Sequence, residues 1–196
     1  MVPYHKQMEA LIASFGGRKP KLLLHACCAP CSSSVLESLS PFFEISLYFC
    51  NPNMDTLEEY EKRAEELKRL VSEMKLASEV ETVIAPYDHE CFEEISKGLE
   101  DCPERGERCL RCYEMRLRKT FDYMQKNGGF EYFGTTLTLS PLKSAAAINE
   151  IGAGISDKYL PSDFKKKNGY LRSIQLSEEF GLYRQDYCGC KYSKKR

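Results

Sequence analysis

Residues 25–34 read HACCAPCSSS and place Cys27, Cys28 and Cys31 within five positions of one another. Two further groups follow, Cys109 and Cys112 in ERCLRCYEMR, and Cys188 and Cys190 in YCGC. Thiolates at this density hold a soft metal, carry an iron–sulfur centre, or cycle between dithiol and disulfide. Successive side chains of an extended strand point to opposite faces, so Cys27 and Cys28 share one centre only where the strand has ended, and Ala29-Pro30 marks that end. Three positions apart at the start of a helix, Cys109 and Cys112 lie on one side. A disulfide across the single residue between Cys188 and Cys190 closes a strained ring that is easily reduced, which suits electron cycling; the same pair is equally able to ligate a metal. Zinc prefers two Cys-x-x-Cys knuckles, here Cys28/Cys31 with Cys109/Cys112, but that choice leaves Cys27, Cys188 and Cys190 idle.

The other cysteines carry less. Cys50 and Cys91 read as small apolar fillers and Cys102, before Pro103 in a polar loop, as neutral in role. His25, at a strand end, reads as a packed, hydrogen-bonded core histidine rather than a ligand.

These residues need a scaffold, and four short segments rich in β-branched or aromatic residues supply it: 21–25, 43–49, 79–85 and 130–136. Each reads as a strand covered on both faces and is followed by a helical pattern. Leu57, Tyr60, Ala64, Leu67, Leu70, Val71 and Met74 form one stripe of a helix capped by Asp55 with Glu58. A second helix is predicted over 108–126, with Leu110, Tyr113, Leu117, Phe121 and Met124 at helical spacing and Asn127-Gly128-Gly129 ending it. Alternating strands and helices imply an α/β fold with a parallel sheet in right-handed βαβ units. Ligands gather at the strand ends of such sheets, where HACCAPCSSS, CNPN (50–53) and TTLTLSPLK (135–143) fall. Ser140 before Pro141 predicts a helix start, so Thr135, Thr136, Ser140 and Lys143 surround an N-terminus suited to a phosphate, or to plain capping. Ser32 and Ser33 are candidates for the same role. Residues 152–196 read as an irregular lid and C-terminal segment that closes the site with the Cys-Gly-Cys pair.

The 196 residues are an ordinary single-domain length, with 42% hydrophobic and 29% charged residues. No apolar run approaches the ~20 residues of a membrane span, and the N-terminal MVPYHKQMEALIASFGG lacks the apolar core of a signal peptide. A cytoplasmic location is expected, where clustered cysteines point to metal or catalysis rather than to a disulfide framework. Net charge is −1, yet residues 158–196 hold ten Lys or Arg against four Asp or Glu. Lys165-Lys166-Lys167 and Lys194-Lys195-Arg196 are therefore either phosphate contacts or a solvated face.

Taken together, HACCAPCSS, CNPN, ERCxxCYxxR, TTLTLSPLK and the closing YRQDYCGC resemble the QueH family of epoxyqueuosine reductases over nearly the whole chain. No motif position departs from the pattern. The resemblance implies an enzyme that removes the epoxide oxygen of epoxyqueuosine in tRNA, the last step of queuosine formation. It implies a nucleotide-binding-like (HUP) three-layer fold, a [4Fe–4S] cluster on Cys27, Cys28, Cys109 and Cys112, and no cobalamin. Cys188 and Cys190 are then a redox-active pair or ligands of an additional iron ion. Asp186, followed by Tyr187, is the expected proton source, with a surface pairing of Asp186 and Arg184 as the alternative. The partners are tRNA and an electron donor; cysteines stand where ATP-using relatives carry a glycine-rich loop, so ATP is not expected. Two rival readings are a cytosolic dithiol–disulfide oxidoreductase at Cys28-x-x-Cys31 and a zinc-stapled RNA-binding module.

Overall fold

In the computed structural model, which describes residues 2–194, a four-stranded parallel sheet has the order β3-β2-β1-β4. The strands are β1 (Lys21–His25), β2 (Glu44–Phe49), β3 (Val80–Ile84) and β4 (Tyr132–Thr135). Alternation along β1 divides the interior: Leu22 and Leu24 face one hydrophobic cluster and Leu23 the other. Helices α1 (Tyr4–Ser14), α2 (Ala29–Leu39), α3 (Leu57–Glu73) and α7 (Gly169–Glu179) belong to the first side. On the second side lie α5 (Glu107–Asn127) and α6 (Ala145–Ile155), giving three layers. Short α4 (His89–Ser96) adds Phe92 to a small third cluster with Cys112 and Cys190. Register pairs Leu22 with both Ile45 and Tyr132, so β1 lies centrally between β2 and β4. The order reverses between β1 and β4, and their carboxyl ends flank the crevice where such sheets bind ligands.

Several local expectations are corrected. Three strands are one to three residues shorter than their apolar runs, and β3, at the sheet edge, is only half-buried with Glu81 exposed. The α3 cap is Thr56, whose hydroxyl accepts the Glu59 N–H at 3.2 Å. Asp55 instead donates its N–H to the Gly189 carbonyl at 3.0 Å and pairs with Lys194 at 2.6 Å. Ser140-Pro141 starts no helix; it follows a 3-10 turn, Thr136–Leu139, and its hydroxyl accepts the Leu142 N–H at 3.3 Å. Ser144 caps α6 by accepting the Ala147 N–H at 3.2 Å, because the Ala-rich run after it is the better helix former.

Within 152–194 the chain is more regular than expected. Gly152 belongs to α6, where an added Cβ would meet the Tyr159 ring at 2.4 Å. Residues 158–160 return beside β4, the Leu160 N–H donating to the Phe133 carbonyl at 2.7 Å. Asn149 fixes this return by exchanging hydrogen bonds with the Ser162 backbone at 2.7 and 2.8 Å. The α7 helix then packs along α2. No helix among the described residues is long and apolar enough to cross a membrane.

Candidate metal centre at the carboxyl edge of the sheet

Strand β1 ends at His25, and the extended backbone of Cys28 leads into α2, with Pro30 in its first turn. The three thiols therefore gather where the strand gives way to the helix. Those of Cys27, Cys28 and Cys31 all lie within 4.8 Å of one another, the one such group of metal-holding side chains among the described residues. Cys27 and Cys28 sulfurs are 3.8 Å apart. Across the crevice, Thr136 accepts the Cys27 N–H at 3.2 Å and turns its own hydroxyl toward the Cys27 sulfur at 3.4 Å. Hydrogen bonds from Cys28 and Cys31 hold the Cys27 thiol well below its ordinary pKa against the cost of burial, with Lys143 and Thr136 assisting. The same sharing, with burial, pushes Cys28 up to about 12 and raises Cys31. The trio thus stabilises one thiolate through two thiols.

Cys109 and Cys112 occupy the opening turns of α5 and do share a side, but their near neighbours are Cys188 and Cys190. All four line one small chamber of about 20 Å³. Burial raises Cys109 and pushes Cys112 up to about 12. Next to it, a cavity of about 360 Å³ is lined by the first trio, Lys143, Asp186 and Cys188, so Cys188 and Lys143 border both spaces. Gly189 makes this seat possible: its φ is +114°, and an added Cβ would approach Met54 Cγ at 3.2 Å. The Cys188 carbonyl accepts from Asn53 Nδ2 and Arg63 Nη1, both at 3.4 Å. The CNPN loop thus contributes Asn53 to the C-terminal segment and Asn51 to the Ala26 carbonyl at 2.9 Å.

The remaining expected site residues separate. Thr135 is buried and committed within the fold, capping the 3-10 turn and bonding His25 Nδ1 at 2.9 Å. Ser32 and Ser33 are buried in α2, their hydroxyls donating to the carbonyls of Cys28 and Pro30. Ser140 lines the larger cavity without a helix N-terminus behind it, and Lys143 lies among thiols. Asp186 is exposed at that cavity and has no ion pair among the described residues; Arg184 reaches the Ser177 hydroxyl at 3.1 Å instead. Within the 165–167 run, Lys165 is held by the Thr138 carbonyl and Asp163, and Lys167 pairs with Glu9, which leaves Lys166 as that run's free cation among the described residues. Lys195 and Arg196 lie outside the described residues.

His25 is a core histidine, as expected: it is 0% exposed, and its Nε2 faces the Cys50 carbonyl at 3.2 Å. Burial, then the charge of Arg116, lowers its pKa to about 4. Between about pH 4 and 6.5 the unfolded chain therefore binds more protons at this position, so its contribution is complete above the unfolded value and is lost on acidification. The expected loss, on the order of 3 kcal/mol, is checked by denaturant midpoints near pH 7 and about pH 4.5. His25→Asn should show a smaller drop than wild type, and an equal drop would refute the assignment.

Three buried arginines were not singled out as functional from sequence. Arg63, Arg108 and Arg116 are 2%, 4% and 1% exposed and line the thiol-bearing spaces. Arg108 Nε and Arg116 Nη2 are buried nitrogens without a hydrogen-bond partner among the described residues, while Arg63 Nη2 lies 2.6 Å from the Glu59 carboxylate. Their signal was a charge on an apolar stripe, Arg63 between Tyr60 and Leu67, and Arg116 closing the ERCxxCYxxR pattern. Uncompensated buried guanidinium is costly, so thiolates and a negatively charged occupant fit this wall. An all-thiol donor set likewise fits an iron–sulfur cluster or another soft metal.

Fold and site together define a parallel α/β protein with a thiol-only, metal-competent centre at the reversal of its strand order. A family model described as "Epoxyqueuosine reductase QueH" matches residues 22–196, and the chain belongs to that family. It is 40% identical to the epoxyqueuosine reductase QueH of Staphylococcus epidermidis over 98% of this chain and 84% of the relative. The Streptococcus pyogenes QueH is 43% identical over 90% of this chain and 71% of its own, and the Thermotoga maritima QueH 35% identical over 88% and 89%. Among solved structures, the NMN synthetase of Francisella tularensis superposes with a TM-score of 0.52 at 10% identity, covering 95% of this chain and 75% of that one. That likeness shows a shared nucleotide-binding-like fold.

Proposed function

We propose that this chain is an oxidoreductase that reduces epoxyqueuosine in tRNA to queuosine, acting through a [4Fe–4S] cluster. Membership of the QueH family supports the substrate, and the convergence of seven thiols on two adjoining spaces at the sheet edge supports the chemistry. We assign the cluster to Cys27, Cys28, Cys109 and Cys112, as the family motif implies. Cys31, which has no role in that motif assignment, stands beside two of them. The domain assignment proposed is one α/β unit whose segment 152–196 closes the site.

Deoxygenation breaks both carbon–oxygen bonds of the epoxide, forms an alkene, and releases the oxygen as water after uptake of two electrons and two protons. When bound, the cluster supplies electrons to that reduction. Ser140 and Lys143, which line the larger cavity, are the proposed contacts to the modified base, with Thr135 and Thr136 buried behind them. Asp186, on the same cavity, is the proposed proton relay, ahead of Tyr187, whose hydroxyl reaches Asp55 at 3.4 Å. Cys188 and Cys190 supply the second store of reducing equivalents, as a dithiol that becomes a disulfide or as ligands of an additional iron.

Anaerobic purification followed by reaction with tRNA carrying epoxyqueuosine tests the reading. The protein is expected to be brown, with about four iron and four sulfide per chain, and the released nucleoside to lose the mass of one oxygen. A colourless, zinc-loaded and fully stable protein would establish the zinc-stapled alternative. Unchanged nucleoside with an intact, reducible cluster would remove the proposed substrate.

A further inference from the structure

Four buried or half-buried cations line the thiol-bearing spaces, and two of them have protein partners for their charge. Arg63 is neutralised by Glu59, whose carboxylate accepts from Nε at 2.6 Å. Arg108 donates to the Leu99 and Glu100 carbonyls at 2.6 and 3.1 Å and stacks on Tyr192 at 4.1 Å. Arg116 has no carboxylate partner among the described residues and only longer contacts, the Cys112 carbonyl at 3.3 Å, Asn51 Oδ1 at 3.4 Å and the Tyr113 ring at 5.7 Å, and its Nη2, like Arg108 Nε, is buried without a hydrogen-bond partner among them. Lys143 has neither a side-chain hydrogen bond nor an ion pair among the described residues, and it borders both thiol-lined spaces. Glu104, the acidic residue shared by those linings, is exposed and screened by solvent.

We infer that Arg116 and Lys143 are the fixed countercharges of the thiol-held centre and set its reduction potential. This rests on the reading of that centre as an iron–sulfur cluster. Four thiolates make such a centre negative, and each electron it takes up adds to that charge. Positive charge held nearby in a site withdrawn from water favours the reduced form, as net charge and exposure do for cluster potentials generally. Arg116 suits this role because guanidinium keeps its proton even when buried. Its grip on Asn51 also ties α5 to the CNPN loop, so a purely structural role is the rival explanation.

Anaerobic redox titration with dithionite and mediator dyes, followed by cluster absorbance and electron paramagnetic resonance, separates the two. Lys143→Met and Arg116→Met are each expected to shift the reduction equilibrium at least tenfold toward the oxidised form, about 59 mV for one electron. Arg116→Lys keeps the charge and should return most of that shift. Unmoved potentials in cluster-loaded variants overturn the inference and leave Arg116 a structural tie. If Arg116→Met takes up no cluster, Lys143→Met decides alone, since its half-buried side chain holds nothing in place: a shift supports the inference and none overturns it. A wild-type protein without a cluster instead overturns the reading beneath it, and the inference falls with that reading.

Discussion

Cys112→Ser is expected to lose most of its iron and to reduce epoxyqueuosine at least about a hundredfold more slowly than wild type. Alcohol oxygen is a hard, weakly acidic donor and replaces thiolate poorly on iron. The site gives the substitution no rescue, because Cys112 is buried and its chamber offers Arg116 and Lys143 as cations rather than a base that would ionise serine. Cys109→Ser should behave alike, since both sulfurs project from the opening turns of α5 into one chamber. Two controls give the result its meaning. Cys91 sits apart, its thiol directed to the Asp88 carbonyl at 3.3 Å, so Cys91→Ser should keep colour and turnover. Cys31→Ser probes the trio at the end of β1, and retention of the cluster there is expected if Cys27 and Cys28 are the ligands from that loop. Iron analysis and visible absorbance after anaerobic purification check all four. Equal behaviour of Cys112→Ser and Cys91→Ser would undo the division of the cysteines.

Much of this arrangement was legible because the fold and the thiols announce themselves in different ways. Strand β1 carries three consecutive leucines, followed by Ala29-Pro30, and its bounds are those the sequence predicts. The long helices α3 and α5 carry enough turns for their stripes to be unmistakable. Shorter elements were not: α4 spans only His89–Ser96, too few residues for a period to repeat. Helix α7 begins after Asn168 in the left-handed conformation with no side-chain cap, so the usual start signal is missing. Ser140-Pro141 is the start signal the sequence carries, yet the helix begins four residues later, after Ser144, where the run of alanines lies. Arginine on an amphipathic helix ordinarily faces water, so nothing in the helical pattern alone singles out Arg63 or Arg116. Only tertiary packing shows that α5 turns Arg116 toward thiols, and that Cys109 and Cys112 stand nearer the C-terminal pair than spacing alone reveals.

The Cys188→Ser, Cys190→Ser double variant should stay brown and yet lose reduction of the epoxide. Cys27, Cys28, Cys109 and Cys112 supply one thiolate for each of four irons, which leaves the C-terminal pair outside the ligand set. Position favours a separate role for the pair. Cys188 borders the larger cavity as well as the small chamber, whereas Cys190 is buried with its thiol on the Ser193 hydroxyl at 3.4 Å. Their segment is anchored from outside the two sulfurs, by the Gly189 carbonyl accepting the Asp55 N–H at 3.0 Å and by the Lys191–Glu93 and Lys194–Asp55 ion pairs at 2.8 and 2.6 Å. Substituting both sulfurs therefore leaves the closing segment its holdfasts, and turnover is expected to fall by about two orders of magnitude or more without loss of stability. Iron content tells the two roles apart, because a lost additional iron lowers the count and a lost disulfide does not. Disappearance of the cluster itself would move one of these cysteines into its ligand set. Full activity would reduce the pair to packing, and the second reducing equivalent would then have to arrive through the cluster from the external donor.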